Sequence, residues 1–206
     1  MANYLPPYSC HPLLGPVVEL FTSGRVTQLN LNYPGVPFIG ILPFGQLFYE
    51  SNLELDTDGS IYHKQDKTGQ GQTSLRDSAG NSVDSNSIPY FVLPQYSFGA
   101  WGIQTGNLGM VFYNARQSGA ILADRGPVAK LGEGSIELHR RLGHETVING
   151  KLHNCGISGR ILTIVFPRSG NGCAMSADAV DAAAFQCWLQ LRSMVSADLS
   201  RHLTHF

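Results

Sequence analysis

The chain has 206 residues and a formal charge of −1. That is enough for one domain with a sizeable core, and it excludes a nucleic-acid binder that relies on a strong basic field. Only 14% of the residues are charged, whereas 23 are Gly and 11 are Pro, a balance that predicts many turns and few long helices.

Residues 1–206 read as a single domain. Met1–His11 lacks the charged and apolar regions of a cleavable leader. No apolar run reaches membrane-spanning length. Charge is unevenly spread: from Glu50 to Asp84 seven acids face three bases. Such a stretch suits either a cationic ligand or a solvated loop.

In chain order, "GPVVELFTSGRVTQLNLN" predicts two short strands around Ser23-Gly24. "VPFIGILPFGQLFYES" carries Pro37 and Pro43, which favour edge strands or irregular packing. "LELDTDGSIYH" (Leu53–His63) predicts strand, turn and strand, with Asp58-Gly59 as the hairpin turn. Residues 64–87 read mostly as loop. "IPYFVLP" is an apolar strand bounded by prolines. "LGMVFYNARQSGAILAD" predicts two strands around Ser118-Gly119. "GEGSIELHRRLG" is a strand or a short helix. "ETVINGKLHN" predicts a hairpin at Asn149-Gly150. "RILTIVFP" is the clearest buried strand.

From Ser176 the period changes. Val180, Ala184, Cys187, Trp188, Leu191, Val195 and Leu199 follow helical spacing, and Ser176 suits an N-cap, with Asp178 and Asp181 near the start. One long C-terminal helix, at about 176–204, follows a run of short strands. The fold expected is mainly β: a barrel-like core with a helical addition.

Two carboxylates, Asp124 and Glu133, stand at either end of the turn in "ADRGPVAKLGEGSIEL". Cleaving a glycosidic bond needs one acid to protonate the leaving oxygen and one carboxylate to activate water or attack. A solvated turn would carry the same two acids. Asp56-Thr57-Asp58-Gly59 resembles the start of a calcium loop, but Lys67 stands where the closing Glu belongs, so a tight acidic turn remains. His139, His144, His153 and Cys155 match no zinc spacing. No nucleophile elbow and no phosphate-binding glycine loop occurs. Tyr96 and Trp101, in the Gly-rich "PQYSFGAWG", are candidates to stack on a sugar; the other mid-chain aromatics read as core. Of four cysteines, Cys10, Cys155, Cys173 and Cys187, the last reads as a buried thiol; a bridge between Cys155 and Cys173 is open.

Three blocks in order, "LELDTDGSIYH", "IPYFVLP" and "GAILADRGPVAKLGEGSIEL", together resemble the glycoside hydrolase family 75 chitosanases. "GRILTIVFPRSG" is similar to that family's closing strand, and the likeness spans about residues 53–170. The resemblance implies an inverting endo-hydrolase of chitosan that needs no cofactor and no metal, with Asp124 as general base and Glu133 as general acid. An acid that keeps its proton would have Glu133 in the drier or more carboxylate-crowded place. Asp56 and Asp58 would bind glucosamine ammonium groups. Glu137 is the alternative acid, because strand alternation keeps it on the face of Glu133.

By analogy with other polysaccharide-cleaving enzymes the fold expected is a double-psi-like β-barrel with a long C-terminal helix. The partner expected is a polysaccharide, chitosan or peptidoglycan, handled by a monomer outside the cytoplasm, with no nucleic acid and no membrane. A peptidoglycan-cleaving muramidase or lytic transglycosylase and a non-catalytic carbohydrate-binding module are the alternatives.

Overall fold

A computed structural model describes residues 4–9, 11–153 and 155–203. The chain runs α1 (Gly15–Thr22), β1 (Thr27–Gln28), β2 (Phe38–Ile41), β3 (Leu47–Asp56), β4 (Tyr90–Pro94), β5 (Leu108–Tyr113), β6 (Arg116–Gly126), β7 (Glu133–Ser135) and α2 (Ile136–Arg141). It then continues through β8 (Val147–Ile148), β9 (Lys151–Leu152), β10 (Ile157–Phe166) and α3 (Ala177–Leu203). Six strands close into a barrel in the order β3-β10-β5-β6-β4-β7, with β7 pairing back onto β3. Two of its pairings, β4 with β6 and β3 with β7, are parallel, and the others are antiparallel. β3 is long enough to serve three neighbours: its first half pairs with β2, and Glu54–Asp56 pair with β7.

Alternation along the strands divides the core in two. Phe48, Val92, Phe112 and Ile121 pack with α1 and α3; Tyr49, Phe91, Leu122 and Val165 form the second cluster. On α3, Val180, Ala184, Trp188, Leu191 and Val195 are all fully buried. Their helical spacing made this element legible, and the Ser176 hydroxyl accepts from the Ala179 N–H at 3.3 Å as the cap. Cys187 is free, as expected, but only half-buried.

Several local expectations are corrected. Residues 15–22 are helix, not strand: Pro16 presets the first turn, and Val17, Leu20 and Phe21 fall on one buried stripe. Ser23-Gly24 closes that helix rather than a hairpin. After Asp58-Gly59 no second strand returns; a short 3-10 turn, Ile61–Gln65, follows instead. The β5–β6 hairpin turns at Asn114, which takes φ +53°, and Ser118-Gly119 lies inside β6. The Asn149-Gly150 hairpin forms as expected between β8 and β9. Cys155 and Cys173 are both free, and Cys10 lies outside the described residues.

Gly119 is in β6 because α3 crosses there. Its N–H donates to Asp181 Oδ1 at 2.8 Å. A Cβ at this position would stand 2.7 Å from the Asp181 Cα and 2.9 Å from the Ala184 Cβ. Gly119→Ala is expected to push α3 off the barrel and to cost about 1–3 kcal/mol, read as a lower urea midpoint at unchanged slope. An unchanged midpoint would show that the helix seat is loose.

Candidate functional site

The site begins with a register shift. Along the β4–β6 pair, Tyr90 lies opposite Ile121 and Phe91 opposite Leu122, but Val92 lies opposite Asp124. Ala123 is the extra residue of a bulge. Successive strand residues face opposite ways, so an unbulged β6 would place Ala123 beside Val92 and turn Asp124 to the other face. The bulge re-aims Asp124. The carbonyl of Ala123 accepts instead from the Leu75 N–H, at 2.8 Å.

On the other side of β4, Val92 pairs with Glu133 of β7. Asp124 and Glu133 therefore flank one valine on one face, with backbones about two strand spacings, or roughly 9.5 Å, apart. Glu133 leans toward β6: a Cβ on Gly126 would lie 2.7 Å from its Oε2. A glycine at 126 is what leaves that carboxyl its room.

β3 brings in the next acids. Glu54 pairs with Glu133, and Asp56 with Ser135. Beyond Asp56 the chain tightens into an Asx turn, in which the Asp58 N–H donates to Asp56 Oδ1 at 2.8 Å. The loop after Gln65 then folds over the site. The Gln70 N–H donates to Asp58 Oδ1 at 2.6 Å. Ser74 donates to Asp124 Oδ1 through its N–H, at 3.1 Å, and through its hydroxyl. The Arg125 N–H takes the same oxygen at 2.7 Å.

The result is a cleft of about 300 Å³ lined by five acids (Asp56, Asp58, Asp66, Asp124 and Glu133) and two bases, Arg125 and Lys130. Asp56, Asp58 and Asp124 are 9%, 7% and 8% exposed, and their carboxylate oxygens lie within 4.8 Å of one another. Neither base neutralises them. Lys130 Nζ is 2.7 Å from both Glu133 and Glu54, and the Arg125 guanidinium donates to the carbonyls of Ser97 and Ile103. Burial, with Asp58 beside it, raises the Asp56 carboxyl well above the usual range. Burial pushes Asp58 up to about 6, and Asp124 and Glu133 add to the shift against the Gln70 hydrogen bond. Three carboxyls this close suit one shared cationic group, an ammonium or a metal ion; without one, Asp56 and Asp58 hold their protons to higher pH than usual.

The cleft thus unites Asp56, Asp58, Asp124 and Glu133. It corrects the expectation for Glu133, however: the dry, crowded place belongs to Asp56 and Asp58, while Glu133 is held by Lys130. Glu137 is not in the cleft. The strand stops at Ser135, whose hydroxyl caps α2 by accepting from the Leu138 N–H at 3.0 Å. Strand alternation therefore does not carry on to Glu137, whose carboxylate is bonded to Arg140 and Arg141.

Tyr96 and Trp101 lie outside the carboxylate cleft. Tyr96 is 96% exposed and has φ +60°. It lines an adjoining hollow with Gln95 and Arg125, which also line the cleft. Trp101, Tyr33 and Leu31 continue the surface beyond it. His139 is a core residue bonded to the carbonyls of Ser135 and Leu53, and His144 meets the carbonyl of Cys155.

Ser74, Gln70, Lys130 and Glu54 were not singled out from sequence. Lys130 at i−3 from Glu133 was the one local signal available; nothing local marks a loop serine that reaches 50 residues along the chain. No protein-family model and no curated protein matches this chain.

An aspartate whose proton is held to about pH 6 in the fold, against an ordinary value of 3.8, opposes folding once ionised. That penalty is absent below about pH 4, develops as pH rises, and is complete above about pH 6. Asp58→Asn keeps an acceptor for Gln70 and removes the charge. It is expected to raise Tm at pH 8 by ~2–6 °C, with the gain vanishing near pH 4. A pH-independent change in Tm would show that ionisation of Asp58 does not strain the fold.

Proposed function

We propose that this protein is an endo-acting glycoside hydrolase that cleaves β-1,4-linked glucosamine polymer, chitosan, by inversion. The observation that carries the reading is the placement of Asp124 and Glu133 on either side of Val92, on one face of the barrel. Two strand spacings separate their backbones, and an inverting route needs the carboxyl groups above them to leave room for a water between the base and the anomeric carbon. The carboxyl groups of inverting pairs stand about 6.5–9.5 Å apart for this reason. The family 75 resemblance names the same two residues.

In this reading Asp124 removes the proton from water. Its Oδ1 already accepts three donors, which fix the carboxylate beside Asp58. The water oxygen bonds to the anomeric carbon, the glycosidic bond breaks, and Glu133 protonates the leaving oxygen. Asp56 and Asp58 receive the ammonium group of an unacetylated sugar, which supplies the cation that their cluster lacks. Gln95 and Arg125 lead from the cleft to Tyr96 and Trp101, and a polymer lying along that path would stack sugar faces on the two aromatics.

The two parallel pairings within an otherwise antiparallel six-stranded barrel support a double-psi-like topology as part of the same proposal. The enzyme would work as a monomer outside the cytoplasm, with polysaccharide as its partner and neither cofactor, nucleic acid nor membrane involved.

The test is mass spectrometry of products from chitosan hexamer and from purified peptidoglycan, each incubated with wild type, Asp124→Asn and Glu133→Gln. Wild type is expected to give shorter glucosamine oligomers, with both variants down by about two orders of magnitude or more while still folded by circular dichroism. Muropeptides without chitosan products would move the substrate to the bacterial wall, anhydro ends would mark a lytic transglycosylase, and silence on both polymers would favour a binding module. Near-wild-type turnover in either variant would remove that residue from the mechanism.

A further inference from the structure

Lys130 stands between two carboxylates, and only one of them belongs to the proposed reaction. Its Nζ lies 2.7 Å from Glu133 and 2.7 Å from Glu54. The arrangement is built into the backbone rather than left to two wandering side chains. Glu54 and Glu133 are register partners on the parallel strands β3 and β7. The Glu54 N–H donates to the Gly132 carbonyl at 2.8 Å, which pins the loop between Lys130 and Glu133 to β3. Gly132 sits at φ +101°, and a Cβ there would be 2.6 Å from Ser51 Oγ, so the loop is held closely against the strand. The ammonium thus has two anchors on paired strands, one inside the cleft and one at its rim, where the Glu54 side chain is 62% exposed.

A general acid and a neighbouring ammonium have opposed requirements. Glu133 must carry a proton to donate it, whereas a bonded ammonium favours the carboxylate that remains after donation. A second carboxylate on the same ammonium reconciles the two. While Glu133 is protonated, Glu54 holds the lysine; as the proton leaves for the glycosidic oxygen, the lysine is already within bonding distance of the new charge.

We infer that Lys130 and Glu54 form a positioning pair for Glu133, with Glu54 retaining the ammonium while Glu133 is protonated and Lys130 stabilising the carboxylate as it forms. This inference rests on Glu133 being the general acid. The burial of Lys130, which opposes its charge, is overcome by its bonds to Glu133 and Glu54, which hold the lysine cationic. The other charged groups around Glu133 are Asp124 and Arg125 from β6, Asp56 from β3, and Asp58 and Asp66 from the segment beyond. They are the same in every variant compared below.

The experiment has two readouts. The first is the pH–rate profile on chitosan hexamer, whose high-pH limb reports loss of the acid's proton. The second needs no substrate: a ¹³C titration of the Glu133 carboxyl in glutamate-labelled protein, assigned by its disappearance in Glu133→Gln. Glu54→Gln leaves the ammonium to Glu133 alone, so limb and midpoint are expected to move down by about half a pH unit, the size of an exposed pair's coupling. Lys130→Met removes the ammonium, so both are expected to move up by at least as much.

Opposite movements support the pair; loss of packing alone has no reason to produce them. Midpoints that stay still, or that move in the same direction in both variants, would overturn it. If chitosan is not cleaved at all, the proposed activity fails, and the titration still decides whether the two residues control Glu133.

Discussion

The bulge at Ala123 is the constraint on which the site depends. Strand β4 is held between two neighbours, parallel to β6 and antiparallel to β7. Without the extra residue, β6 would present Asp124 to the face opposite Glu133, and no cleft with two facing acids would exist. The bulge corrects the phase by one residue and frees the Ala123 carbonyl. That carbonyl is taken by Leu75 of the long loop, and the adjacent Ser74 then reaches Asp124. One backbone irregularity thus aims the carboxylate and also anchors the segment that covers it.

Barrel closure supplies the remaining acids. β7 is only three residues long, yet it pairs with both β4 and β3. It therefore sets Glu133 between Val92 and Glu54 and brings the Asp56–Asp58 turn to the same rim. The arrangement is costly in electrostatic terms, because three buried carboxyls converge without a cation of their own among the described residues. A positively charged group bound among the three carboxyls would relieve that cost. Lys130 is spent on Glu133 and Glu54, and Arg125 on backbone carbonyls, so neither offsets the cluster.

What was legible in the sequence was which acids belong together more than the path of the chain. Asp124, Glu133, Asp56 and Asp58 were marked by the resemblance of their blocks to family 75, and the structure gathers all four into one cleft. The C-terminal helix was legible because a 3.6-residue period persists over most of its 27 residues. The first helix was not: eight residues give barely two turns of periodicity, and Val17-Val18 carries a strong strand signal that tertiary packing overrides. Asp58-Gly59 and Ser118-Gly119 looked like hairpin turns because Gly suits them. One is instead the tight turn that leads into a 3-10 segment, and the other makes room for a crossing helix. Glu137 shows the limit of strand alternation, which stopped at the cap residue Ser135 two positions earlier. The support from Ser74, Gln70 and Glu54 comes from contacts distant in sequence, which no local pattern encodes.

In the proposed mechanism Asp124 activates a water on one side of Val92 while Glu133, on the other, protonates the leaving oxygen. The most direct measurement is ¹H NMR of the first products formed from chitosan hexamer, recorded before mutarotation. New reducing ends are expected in the α configuration, because water adds to the face opposite the departing β-linked sugar. Reducing ends that appear first as β would mean a covalent, retaining route and would contradict the arrangement proposed for Asp124 and Glu133.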